Sequence, residues 1–179
     1  MRKFDDYSLG KCLHSRTHRE LYLGVRRSDG REVVLKTDLR DSRDNGTSYA
    51  EREFATLRSA AGAGVVAALE LIGGTPPTLV LERVPGLTLG EWVESAFPPT
   101  PQAFVEIALQ LAGALSRVHA ARMVHCHVSP DNVMVDPETH RSCLIGFGHA
   151  RSLGSTGGVR ELAKGGDGFR APDHAYSDR

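Results

Sequence analysis

The stretch that most constrains this chain is His125-Cys126-His127-Val128-Ser129-Pro130-Asp131-Asn132, a polar segment holding a proline that runs straight into the apolar triplet Val133-Met134-Val135. A second apolar triplet, Cys143-Leu144-Ile145, follows the turn residues Asp136-Pro137-Glu138-Thr139, and Gly146-Phe147-Gly148 comes directly after it. Two short apolar runs around an Asp-Pro turn read as a small hairpin beside a polar loop.

The first third alternates as strands do. Tyr7 to Leu13 and Glu20 to Arg26 carry Leu, Tyr and Val, Ser28-Asp29-Gly30 supplies a turn, and Glu32-Val33-Val34-Leu35-Lys36-Thr37 completes a three-strand antiparallel meander. A polar segment from Asp38 to Thr47 leads into Ser48-Tyr49-Ala50-Glu51, a capping box that predicts a helix over about Tyr49 to Ala60. Val65 to Ile72 and Thr78 to Glu82 read as two further strands around Gly73-Gly74-Thr75-Pro76-Pro77. Thr88-Leu89-Gly90-Glu91 is a second capping box. Thr100 and Pro101 open the longest helix, which runs to about Ala120 with Phe104, Ile107, Ala108, Leu111, Leu115 and Val118 as its apolar stripe. Beyond Arg151 the glycine-rich stretch reads as loop.

This order resembles that of the bilobal protein kinases. The resemblance implies an α+β fold: a five-stranded antiparallel N-lobe sheet with one helix over residues 1–82, a hinge at 83–87, and a partial, mainly helical C-lobe over 88–179. Lys36, closing Val33-Val34-Leu35-Lys36, is similar to the V-A-I-K lysine that holds nucleotide phosphates, and Glu53 to the helix glutamate that pairs with it. Leu79 to Val84 resembles the gatekeeper and hinge, which makes Leu81, Glu82 and Val84 candidate nucleotide contacts beside Lys36, Glu53 and Asn132. Ala171-Pro172-Asp173 resembles the A-P-E motif. A closer likeness is to the kinase-like modules at the amino terminus of large bacterial signalling proteins with an ATPase and a sensor histidine kinase downstream. Their loops read like H-K-D-I-N-P-S-N-I-L-V-N-P-E-T, which His125 to Thr139 follows.

The departures decide what the resemblance implies about activity. The kinase pattern H-R-D-L-K-P-E-N followed by D-F-G places a catalytic base and a magnesium ligand where this chain has His127 and Gly146. Ser129 stands in place of the loop lysine, and only Gly10 remains of the phosphate-covering G-x-G-x-x-G. The expectation is a pseudokinase: a regulatory or interaction module with no catalytic residue, with ATP as candidate ligand and with weak magnesium binding or none. Two other readings stay open. One is an active serine/threonine kinase or other nucleotide transferase using His127 as base, imidazole being the side chain suited to proton transfer near neutral pH. The other is a structural module in which Lys36 and Glu53 are only an ion pair and Val34 crowds the adenine position. His125 and Phe147 read as core spine in every case. A zinc site built from His125, Cys126 and His127 with Cys143 or His149 matches no standard ligand spacing.

Composition excludes other classes. Lysine and arginine number 22 against 22 acidic residues with no run of like charge, so nothing marks a nucleic-acid or anionic membrane partner. At 179 residues and 40% hydrophobic, one domain can bury its own core. No apolar run approaches a bilayer span, and Met1-Arg2-Lys3-Phe4-Asp5-Asp6 turns acidic where a signal peptide would be apolar, so a cytoplasmic location is expected. Cys12, Cys126 and Cys143 are odd in number, fit no C-x-x-C spacing, and read as buried or half-buried free thiols. Kinase chains continue past A-P-E, whereas this one stops at Arg179. The expected partners are therefore a protein, downstream domains or a second copy covering the apolar surface of the long helix.

Overall fold

The computed structural model of the chain describes residues 5–16, 19–38, 43–44, 47–95 and 99–153. Ala171-Pro172-Asp173 and the glycine-rich run after Arg151, apart from its first residues, lie outside them. Among the described residues the fold is α+β. Strands β1 (Tyr7–Arg16), β2 (Arg19–Arg26), β3 (Glu32–Asp38), β4 (Ala68–Ile72) and β5 (Thr78–Glu82) form one antiparallel sheet in the order β1-β2-β3-β5-β4. Helix α1 (Tyr49–Ser59) enters the chain between β3 and β4 and packs on β3, β4 and β5.

The turn between β2 and β3 sets the register of everything that follows. Arg26 and Arg31 close it by a 2.8 Å backbone bond, and Val25 then sits opposite Glu32, Leu21 opposite Lys36, and Arg19 opposite Asp38. Because side chains alternate along a strand, Val33, Leu35 and Thr37 share one face and Val34, Lys36 and Asp38 the other. The first face closes an outer cluster with Tyr7 and Val80. The second turns toward α1 and the main core.

That main core joins the sheet to the helices behind it. Leu57 of α1, Leu79 and Leu81 of β5, Ile107 and Val118 of α3 (Pro101–Ala120), and Leu144 and Phe147 pack in one cluster. Burying a side chain of this size stabilises the fold by about 1.5–3 kcal/mol. Helix α1 starts where its capping box requires. The Ser48 hydroxyl accepts from the Glu51 backbone N–H at 3.2 Å, and the Glu51 carboxylate accepts from the Ser48 N–H at 2.6 Å. Thr88 and Glu91 cap the short helix α2 (Leu89–Glu94) in the same way, and Thr100 caps α3 with Pro101 in its first turn.

Strands β6 (Val133–Val135) and β7 (Ser142–Leu144) form the expected hairpin, extended on one edge by the two-residue strand Leu87–Thr88. Gly86 makes that edge possible. Its φ is +109°, and a Cβ there would lie 2.1 Å from the Val135 carbonyl oxygen.

Three expectations need correction. The fourth strand starts at Ala68 rather than Val65, because Val65 and Val66 leave the sheet to bond along Leu144 of the small hairpin. The buried line of α3 is Ala103, Ile107, Ala114 and Val118, while Phe104 is 66% exposed and Ala108 is exposed as well. This helix is apolar almost all round, so spacing alone does not fix its phase. Cys12 and Cys126 are exposed rather than buried, and Cys143 is half-buried; all three are free thiols.

Candidate functional site

The site begins with a charge pair formed by β3 and α1. Lys36 lies on the α1-facing side of its strand, and Glu53 lies on the buried side of the helix. The Lys36 ammonium donates to both carboxylate oxygens of Glu53, at 2.7 and 2.6 Å, with both side chains nearly fully buried. An ammonium carries three N–H donors, so one remains for another acceptor.

The polar loop and the glycine pair are brought together by the hairpin. Antiparallel pairing sets the residues before β6 against those after β7, and the Ile145 N–H bonds the Asn132 carbonyl at 2.9 Å. His125 turns inward. Its Nδ1 accepts from the His127 backbone N–H at 3.2 Å, so Nε2 carries the proton and donates to the Ile145 carbonyl at 2.8 Å. Its ring meets Phe147 edge-on, 4.6 Å between centroids. His125 is thus a neutral brace between the loop and the segment beginning at Gly146. Cys126, at φ 61°, supplies the left-handed kink that sends His125 into the core and leaves His127 half-exposed.

Asn132 is turned toward the loop. Its amide nitrogen donates to the His127 carbonyl at 2.9 Å and to the Ser129 hydroxyl at 3.2 Å. Its oxygen lies against Gly146: a Cβ at residue 146 would stand 2.1 Å from Asn132 Oδ1, and the backbone φ of 78° is one that side-chain-bearing residues rarely adopt. The Asn132 carboxamide therefore fills the space that a side chain at 146 would need.

This geometry tests the fit of a magnesium ion. Magnesium takes hard oxygen ligands in near-octahedral geometry. Gly146 brings no ligand and His127 offers only imidazole, so the hard oxygen at hand is Asn132 Oδ1, a single neutral amide oxygen with no carboxylate beside it. Among the described residues no group of three or more His, Cys, Asp or Glu is placed to hold a metal. The residues present do not fit the ion.

A residue that the sequence reading passed over completes the site. Arg19, opposite Asp38 in the β2–β3 register, shares the α1-facing side of the sheet with Leu21, Lys36 and Asp38. Its Nε donates to Asp38 Oδ1 at 3.0 Å, and its two terminal nitrogens reach to 3.4 Å from where a Cβ would stand on Gly148. Glu53 Oε2 is 3.5 Å from the same point. Arg19 and Glu53, the first held by Asp38 and the second by Lys36, thus both face Gly148 in one charged row. The signal was present in the register set by the Ser28-Asp29-Gly30 turn, which pairs Arg19 with Asp38 once Lys36 is placed.

The other candidates lie at the end of β5 and just beyond it. Leu81 is buried opposite Val34, and Val84 packs half-buried on the main core. The Glu82 carboxylate is engaged away from the charged row, accepting from the Ala67 N–H at 2.6 Å with Arg31 at 3.8 Å.

Two histidines here carry a pH dependence. Burial holds the His125 pKa below its ordinary value against the Ile145 bond, with His127 and His149 adding to the lowering and Glu53 opposing it. His149, whose ring centroid is 5.1 Å from that of His127, is lowered first by desolvation and then by His127, Arg19 and Lys36, against Glu53. Both folded pKa values fall below the unfolded one, so the unfolded chain takes up protons first on acidification. Their neutral forms support the fold fully above about pH 6.5 and progressively less below it. The lowered carboxylates Glu91, Glu106 and Asp136 act at more acidic pH. Melting temperature should therefore drop between about pH 7 and pH 5, and His149→Gln should flatten that slope. A melting temperature that holds or rises over this interval would contradict the assignment.

Comparison with known proteins agrees with this geometry. The protein kinase domain matches residues 17–177. The serine/threonine-protein kinase PknB of Mycobacterium tuberculosis is 29% identical over 162 residues, covering 86% of this chain and 25% of that protein. The PknB of Mycolicibacterium smegmatis is 30% identical over the same length, with the same coverage. A probable serine/threonine-protein kinase of Streptomyces coelicolor is 30% identical over 159 residues, 84% of this chain and 23% of its own. The chain spans about a quarter of the length of the curated relatives it matches. No helix among the described residues is long and apolar enough to cross a membrane. With a five-stranded sheet, a buried Lys36–Glu53 pair bridging sheet and helix, and a match over residues 17–177, the chain belongs to the protein kinase domain family.

Proposed function

We propose that this domain is a pseudokinase, a regulatory or interaction module that takes ATP without magnesium and does not transfer its phosphate. The observation that carries the reading is Gly146, which brings no carboxylate where the metal would be held and whose side-chain space Asn132 fills. His127 stands where the resemblance calls for a catalytic carboxylate. Loss of a general base costs about 10²–10⁴-fold in rate, and loss of the ion that neutralises the phosphates adds to it. The third N–H of Lys36 supports nucleotide binding, since it can reach a phosphate while Glu53 is held. Leu81, Glu82 and Val84 would line the adenine end, as the resemblance implies.

The exposed Phe104, Val105 and Leu109 on α3 support a protein partner, a downstream domain or a second copy as the regulated element. Incubation with radiolabelled ATP, magnesium and a generic protein substrate tests the reading, with transfer expected at background.

A further inference from the structure

A polyphosphate brings several negative charges, and in this family a divalent ion normally meets them. The donor set here does not fit that ion, so a cleft that takes a nucleotide must meet the charge with its own cations. Two are in place on one face of the sheet, two residues apart on neighbouring register positions: Lys36, and Arg19 opposite Asp38.

Arg19 is built to act outward. A guanidinium holds five donors in a rigid fork. Asp38 takes the Nε–H at 3.0 Å and fixes the plane, which leaves the two terminal nitrogens beside Gly148, each 3.4 Å from where a Cβ on it would stand. Gly148 belongs to the glycine pair beside which a phosphate-bound metal would stand. Glu53, held by Lys36, comes to 3.5 Å from the same Cβ position, so the fork and the Lys36–Glu53 pair border one space beside Gly148. Asp38 is only 13% exposed and Arg19 32%, so the pair is screened less than a surface ion pair while the fork still reaches solvent. Arg19 forms planar, bidentate contacts with phosphate oxygens more readily than an ammonium does.

We infer that Arg19 is a built-in cation that replaces the divalent ion and binds the polyphosphate of a nucleoside di- or triphosphate together with Lys36. This rests on the nucleotide-binding reading above and names the residue that makes it metal-independent. Asp38 is the positioning residue, holding Arg19 through Nε.

The test is calorimetric titration of the full chain with ATP and with adenosine, each in excess chelator and in magnesium, for the parent, Arg19→Ala and Arg19→Lys. Melting curves verify folding. In chelator, Arg19→Ala should weaken ATP by about 10–100-fold, the loss of a charge-assisted contact, while leaving adenosine unchanged. Arg19→Lys should recover part of it, because the charge returns without the fork. If the parent binds ATP in chelator and Arg19→Ala binds it equally or more tightly, Arg19 is a bystander or an obstruction and this inference fails alone. An equal loss for adenosine would show a structural role and sink it too. If the parent binds ATP only with magnesium, or not at all, the metal-free nucleotide reading falls and the role of Arg19 with it.

Discussion

Lys36→Ala should destabilise the folded protein by about 3–5 kcal/mol, because it strands the Glu53 carboxylate in a buried site. Both side chains are nearly sealed from solvent, and Lys36 satisfies both oxygens of Glu53. Leaving one charge of such a pair unpaired costs far more than the pair contributes against an apolar replacement. Replacing both at once, Lys36→Met with Glu53→Leu, should therefore return most of the stability, since two well-packed apolar side chains cost little in place of a buried pair. Urea unfolding of the parent, both single variants and the double variant reads this out. The unfolding midpoint should fall sharply for each single change and recover in the double. Single changes that cost under about 1 kcal/mol would place the pair among surface-like ion pairs instead. The same result makes Lys36→Ala a poor probe of nucleotide binding, since lost affinity and lost fold would coincide.

Gly146→Asp, the change that would restore a carboxylate at the metal position, should cost about 2 kcal/mol, about 1 for each of the two hydrogen bonds that a displaced Asn132 loses; the positive φ adds little, because Asp is among the few residues that visit it. The new Cβ would stand 2.1 Å from Asn132 Oδ1, so the amide must swing away from His127 and Ser129. Adding Asn132→Gly should relieve the clash, leaving the double variant less destabilised than the two single losses summed. That non-additivity, measured in a double-mutant cycle, is the signature of direct contact. A Gly146→Asp variant as stable as the parent would mean that Asn132 has room to move and that the metal site is open to simple repair.

Much of this architecture was legible because it is local. Ser48 and Glu51, three residues apart, announce α1, and both capping bonds form. Thr100 and Pro101 announce α3 at its observed start, and Thr78 to Glu82 is a strand as its pattern requires. The pairing of Lys36 with Glu53 was legible through resemblance, since neither residue alone carries a signal. The rest depends on contacts between distant segments. Which face of α3 is buried follows from what packs against it, so Phe104 and Ala108 fell on the wrong side. That Asn132 occupies the space over Gly146 follows from hairpin register, and the place of Arg19 follows from strand alternation combined with a close approach to Gly148.

Phosphate transfer settles whether this site does chemistry. The unmodified chain and His127→Ala, each incubated with radiolabelled ATP and a generic protein substrate in magnesium and then in manganese, should incorporate label at the same background level, with no autophosphorylation in either. Robust transfer by the unmodified chain that disappears in His127→Ala would contradict the account and make His127 a catalytic base.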